Sequence, residues 1–173
     1  MPHDCAPIDV DWRLHERRHK VRPDGWQSSG GVVVDLESGH VLIVKNRREH
    51  AEGRNGWTWP KGKLDKGEGP VFAALREISE EAGVMAEPLA RLTCVRTKRA
   101  TRHYFLFAKI SDGLSHSNET LKVRWVSIRE ARRLLERKRD RQVLRDAKIM
   151  IRAIQEADVE RPLLYSQPAA CQA

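Results

Sequence analysis

The chain has 173 residues, of which 40% are hydrophobic and 32% charged, with a net charge of +8. This fits one compact globular domain with a sizeable core. No apolar run approaches the ~20 residues that span a bilayer, and the N-terminal stretch MPHDCAPIDVDWRLHERRHK lacks an apolar signal region, so a cytoplasmic protein without a membrane partner is expected.

In chain order, residues 1–24 read as a polar N-terminal extension, residues 25–157 as the folded domain, and residues 158–173 as a C-terminal tail. Two β-branched runs, Val32–Asp35 and Val41–Lys45, flank a Ser-Gly turn signal and predict a hairpin. GRNGWTWPKGKLDKGEGP is a loop by composition. A helix follows from Pro70, a residue suited to the first turn, to Gly83, a stop signal. LARLTCVRT, HYFLFAKI and KVRWVSI are three more strand candidates, and two helical patterns close the domain, the second over roughly 140–157 with Val143, Leu144, Ala147, Ile151 and Ile154 on one stripe. Cys5, Cys94 and Cys171 are odd in number and far apart, so they give no CxxC motif and are expected as free thiols.

The positive charge calls for an anionic partner, either a phosphate-rich small molecule or a nucleic acid. Basic residues cluster in KNRREH, RTKRATRH and REARRLLERKRDR; the last looks helical, and a solvated helix face is its plainest reading.

Against that background the stretch REISEEAG is anomalous. Glu77, Glu80 and Glu81 lie at i, i+3 and i+4 in the last turns of the helix, where they repel one another and meet the negative end of the macrodipole. Val71, Leu75, Ile78 and Ala82 share the opposite, apolar face. An acidic face meeting water is one reading, but Arg76 is the only cation in the helix and cannot neutralise three carboxylates. A hard divalent cation would turn the repulsion into a ligand set, with magnesium or manganese the best match.

Extended upstream, the stretch becomes GKLDKGEGPVFAALREISEEAGV, from Gly62 to Val84, and it resembles the Nudix box at every defined position. The flanking strands and late helices follow that family's order over roughly residues 26–155. The resemblance implies an α/β fold, a Nudix-type α/β/α sandwich with a mixed β-sheet, and a metal-dependent hydrolase that cleaves a diphosphate linkage. It implies metal ligation by Glu77, Glu80 and Glu81, with Glu68 joining directly or through water and the Gly62 carbonyl as a further ligand. Glu77 is a candidate general base, Arg76 an orienter of the carboxylates, and Glu119, just before a strand, a candidate additional catalytic glutamate.

WTWPKGKLDKGE resembles the lead-in of dinucleoside polyphosphate hydrolases and some MutT-type nucleotide pyrophosphatases. Lys61 and Lys63 are then expected to hold the phosphate chain, with Arg47, Arg48, Lys98 and His103 extending the positive surface. Trp57, Trp59 and Tyr104 are candidates for stacking on a base, though each serves equally well as core. The family features associated with ADP-ribose and coenzyme A are absent, and the phosphohistidine-type second domain of some relatives is not expected. Dinucleoside polyphosphates are therefore the expected substrates, with (8-oxo-)dNTPs, diphosphoinositol polyphosphates and RNA 5′ ends as alternatives, and a nucleic-acid-binding module as the competing class.

Overall fold

The computed structural model describes residues 26–97, 100–113 and 119–159. The expected extension, residues 1–24, lies outside them, as do most of the expected tail, Lys98, Cys5 and Cys171.

The expected hairpin forms from β1 (Trp26–Val34) and β2 (Val41–Asn46), antiparallel with Val34 opposite Val41. A short helix, α1 (Arg47–Ala51), follows, its first turn capped by the Asn46 side chain accepting from the Glu49 amide. Two short strands, β3 (Trp57–Thr58) and β4 (Lys61–Lys63), form inside the stretch that composition assigns to a loop. Glycines and a proline punctuate them, which conceals strand pairing from a reading of composition alone.

Then come α2 (Pro70–Ala82), β5 (Val84–Arg96), β6 (Ala100–Asp112) and β7 (Thr120–Val126). The closing helices are α3 (Ile128–Leu134) and α4 (Lys138–Val159). The basic run at 129–141 is therefore split between two helices.

Seven strands make one mixed sheet in the order β3-β2-β1-β6-β5, with β4 paired to β1 and β7 to β2. β1 and β6 run parallel, and their other neighbours antiparallel. Strand alternation sends Val33 and Phe107 to one face, where they pack with Val71, Ala74, Ile78 and Ala82 of α2. It sends Val32, Val34, Tyr104 and Leu106 to the other, where Ala131 of α3 and Val143, Leu144, Ala147 and Ile151 of α4 cover them. The result is an α/β/α sandwich. Among the described residues no helix is long and apolar enough to cross a membrane.

Candidate active site

Helix α2 ends as its sequence predicts. Gly83 caps it in the left-handed region at φ 63°, its amide bonded to the Ser79 carbonyl at 2.9 Å, and no basic residue lies in the last turn. The three glutamates divide instead of sharing a solvent face. Glu80 is exposed, Glu77 half-buried and Glu81 only 6% exposed, because the helix leans its last turns onto β1 and β4.

Gly62 of β4 explains how Glu77 reaches the sheet. A Cβ at residue 62 would lie 1.8 Å from Glu77 Oε1, so the carboxylate rests on bare backbone in the space a side chain would take. Glu81 Oε2 accepts the Lys61 amide at 2.9 Å. Burial drives the Glu81 carboxyl up to about 7, partly offset by the nearby Lys61 charge and this amide bond. Burial likewise raises Glu77, against the pull of Arg76. The charge of Glu119 pushes in the same direction on both, which places it within electrostatic reach, and its carbonyl accepts the Arg47 amide at 3.0 Å.

Arg76 sits at the centre of the remaining contacts. Its guanidinium grips Glu68 bidentately, both bonds at 2.9 Å, and bonds Glu77 at 2.8 Å, Glu80 at 3.2 Å and the Lys63 carbonyl at 2.9 Å. Such forked, charge-assisted bonds fix carboxylate orientation. They hold the Glu68 carboxyl below its usual range and raise Arg76 further. With the guanidinium between them, no three acidic, His or Cys groups converge at ligating distance among the described residues.

The donor set still fits a hard divalent cation. Its carboxylate oxygens crowd where the helix dipole repels them, Glu77 rests in the space that only glycine leaves open, and the buried Ser29 hydroxyl has no hydrogen-bond partner. Ser29 pairs with Gly62 and lies on the same sheet face as Val33, the face that α2 covers.

Several expected substrate contacts are corrected. His103 is 1% exposed, its Nε2 within 2.9 Å of Gln27 Oε1, and lies inside the sheet instead of on a positive surface. Tyr104 is 1% exposed on the face covered by α4, and Trp59 is fully buried with its indole N–H bonded to the Asp140 carbonyl at 3.1 Å, so both are core. Trp57 is buried beneath the Arg124 guanidinium, 5.7 Å from its ring centre. Lys61 turns its ammonium inward to Thr58 Oγ1 at 2.7 Å, and burial lowers its pKa. Lys63, Arg47 and Arg48 are exposed.

Sequence reasoning misses Ser29 and Asp140. Asp140 is fully buried and binds Thr58 Oγ1 at 3.1 Å and Arg139 Nε at 3.2 Å. The signal for Ser29 is the polar run Gln27-Ser28-Ser29 leading into the apolar end of a strand; Asp140 is masked by its charged neighbours.

Residues 16–147 match the NUDIX domain family. The chain belongs to the Nudix family. It is 34% identical over 149 residues to the 8-oxo-(d)GTP phosphatase of Mycolicibacterium smegmatis, covering 80% of this chain and 44% of that protein. It is 30% identical over 113 residues to the ADP-ribose pyrophosphatase of Bacillus subtilis, covering 61% of this chain and 60% of the relative. The Nudix chain thus spans only about half the length of the curated relatives it matches. A crystal structure of a C. elegans Ap4A hydrolase binary complex superposes with a TM-score of 0.60 at 22% identity, covering 74% of this chain and 98% of the other, a likeness of fold. Nudix hydrolases generally need divalent metal ions.

Proposed function

We propose that the protein is a magnesium- or manganese-dependent hydrolase of a diphosphate linkage in nucleoside polyphosphates, and that dinucleoside polyphosphates such as diadenosine tetra- to hexaphosphate are its preferred substrates. The observation that carries this reading is the carboxylate group itself: Glu68, Glu77 and Glu80 gathered on Arg76, with Glu77 seated against Gly62 and Glu81 buried beside it. Glu77, Glu80 and Glu81 would hold the metal, assisted by Glu68 and the Gly62 carbonyl. When bound, the metal supplies charge neutralisation on the phosphate oxygens and a more acidic water.

The protein's own groups do the positioning. Arg76 fixes the orientation of three carboxylates, and the Lys61 amide fixes that of Glu81. Glu77, raised above the usual carboxylate range by burial, suits the role of base that takes a proton from the attacking water. Glu119, within electrostatic reach of it, would be a further carboxylate for this chemistry.

The exposed Lys63 at the start of the box and the exposed Arg47, whose backbone joins Glu119, support a long phosphate chain. A second reading, a nucleoside triphosphate such as 8-oxo-dGTP, draws on the relative that covers 80% of the chain and on the burial of Lys61 and His103, which shortens the positive surface. A panel of diadenosine tetra- to hexaphosphate, 8-oxo-dGTP, ADP-ribose, 5′-triphosphate RNA and a diphosphoinositol polyphosphate, assayed with magnesium and resolved by product, separates these readings. Higher kcat/KM on the diadenosine compounds, falling as salt rises, is expected, because remote phosphates contribute binding energy through screened charges. A preference for 8-oxo-dGTP or ADP-ribose rejects the long-chain substrate, and no metal-dependent turnover on any compound rejects the hydrolase.

A further inference from the structure

The basic run at 129–141 does not form one solvated helix. Its break after Leu134 sets α3 against α4, and the two helices line a groove of about 800 Å³. Arg129 and Arg132 of α3 form one side, and Arg141, Arg145 and Lys148 of α4 the other. Ile128 and Leu144 supply its apolar lining, and no acidic residue lines it. Every lining cation is exposed.

The neighbouring acids are engaged elsewhere: Glu130 pairs with Arg124 at 2.7 Å, and Asp146 accepts from Gln142 at 2.9 Å. Among the described residues Arg129, Arg132 and Lys148 enter no ion pair. Arg141 gives its Nε to the Leu135 carbonyl at 2.6 Å, and Arg145 bonds the neutral Gln142. Ordinary solvated faces interleave both signs; five cations facing one groove repel one another unless an anion occupies it.

We propose that this groove binds the phosphodiester backbone of a single-stranded nucleic acid, at a site separate from the catalytic carboxylates. Arg141, Arg145 and Lys148 are spaced i, i+4 and i+7, a row of about 10 Å that offers a cation at each helical turn. A phosphodiester strand carries charge at every repeat to meet such a row, and the guanidinium forks match phosphate bidentately. No aromatic residue lines the groove, so contacts go to the backbone and not to stacked bases, and binding is independent of sequence. A concave groove with cations on both sides encloses one strand, whereas a bilayer surface would need a flat or convex face. The groove opens at the end of β7 opposite Glu119, about 20 Å away along the seven-residue strand.

The test is fluorescence anisotropy with a short 3′-labelled oligouridine carrying a 5′-hydroxyl, in EDTA, so that neither a 5′-phosphate nor metal engages the carboxylates. The wild-type chain should bind, with affinity falling steeply as salt rises. R132E/R145E should weaken binding about tenfold or more and reduce the salt slope by about two, while its thermal melt stays that of the wild type. R54E/K66E, which changes net charge equally but lies outside the groove, should leave binding nearly unchanged. Equal losses in both variants, or none in R132E/R145E, would overturn the proposal. So would binding of polyglutamate or inorganic polyphosphate at the groove with no binding of the oligonucleotide.

Discussion

Glu81 is the side chain whose environment changes most between sequence and structure. Its place in the acidic triplet is legible from spacing, but its burial is not: a helical wheel sets it about 60° from Ile78, at the edge of the apolar stripe, and it is the packing of α2 against β4 that hides it. Glu81→Gln should keep the fold while lowering turnover by a factor on the order of 10³, since it removes a charged ligand from the site of transition-state stabilisation; near-normal turnover at saturating magnesium would exclude Glu81 from that site. Its proton also matters to stability. The carboxyl titrates at about 7 when folded and at the usual 4.5 when unfolded, so its contribution is fully present below 4.5 and lost as pH rises through 7. Metal-free protein should therefore lose up to about 3 kcal/mol across that window. Thermal melts against pH in EDTA should show the decline, and Glu81→Gln should flatten it. Gly62→Ala probes the neighbouring carboxylate. The added methyl would stand 1.8 Å from Glu77 Oε1, but that oxygen ends a flexible side chain and can swing away. The melting point should then hardly change while turnover falls about a hundredfold, as expected when a catalytic group is displaced.

At the scale of elements, α2 depends on what β1 lacks. A Cβ at Gly31 would lie 2.6 Å from the Phe107 ring and 2.7 Å from Ile78 Cδ1, both inside the core, so Gly31→Ala should cost about 1–3 kcal/mol by overpacking. Urea unfolding measures it, and an unchanged midpoint would mean that α2 floats free of the strand. The sequence announces α2 itself plainly, through Pro70, the apolar stripe and Gly83. It announces β5 poorly. That strand starts at Val84, directly after the helix cap, and tolerates Pro88 because its pairing with β6 is interrupted by irregularities at Met85/Ala86, Pro88/Ala90 and Arg91/Cys94. Bulges displace the alternation that period-two reading relies on, so the expected strand begins five residues late, at Leu89. Likewise, charge spacing reads residues 129–141 as one helix, whereas buried Leu135 is where the chain leaves α3.

Over the whole molecule, the layer order is legible because the apolar stripes of α2 and α4 are unmistakable, while the polar cluster beneath α4 is not, since tertiary pairing alone creates it. Asp140, fully buried, accepts from Thr58 and Arg139 at the start of α4. Asp140→Ala would strand those partners and should cost about 3 kcal/mol or more, measurable by denaturant unfolding. Lys61 ties this cluster to the carboxylates proposed to hold the metal: its amide holds Glu81 on one side of the sheet, and its ammonium reaches Thr58 and the Trp59 carbonyl on the other. Metal binding at one region and a substitution in the other form a thermodynamic cycle, and its coupling is the same whichever leg is measured. The factor by which Asp140→Asn changes apparent magnesium affinity should equal the factor by which magnesium changes the stability lost in Asp140→Asn, so that a titration at one face of the sheet reads the integrity of the other.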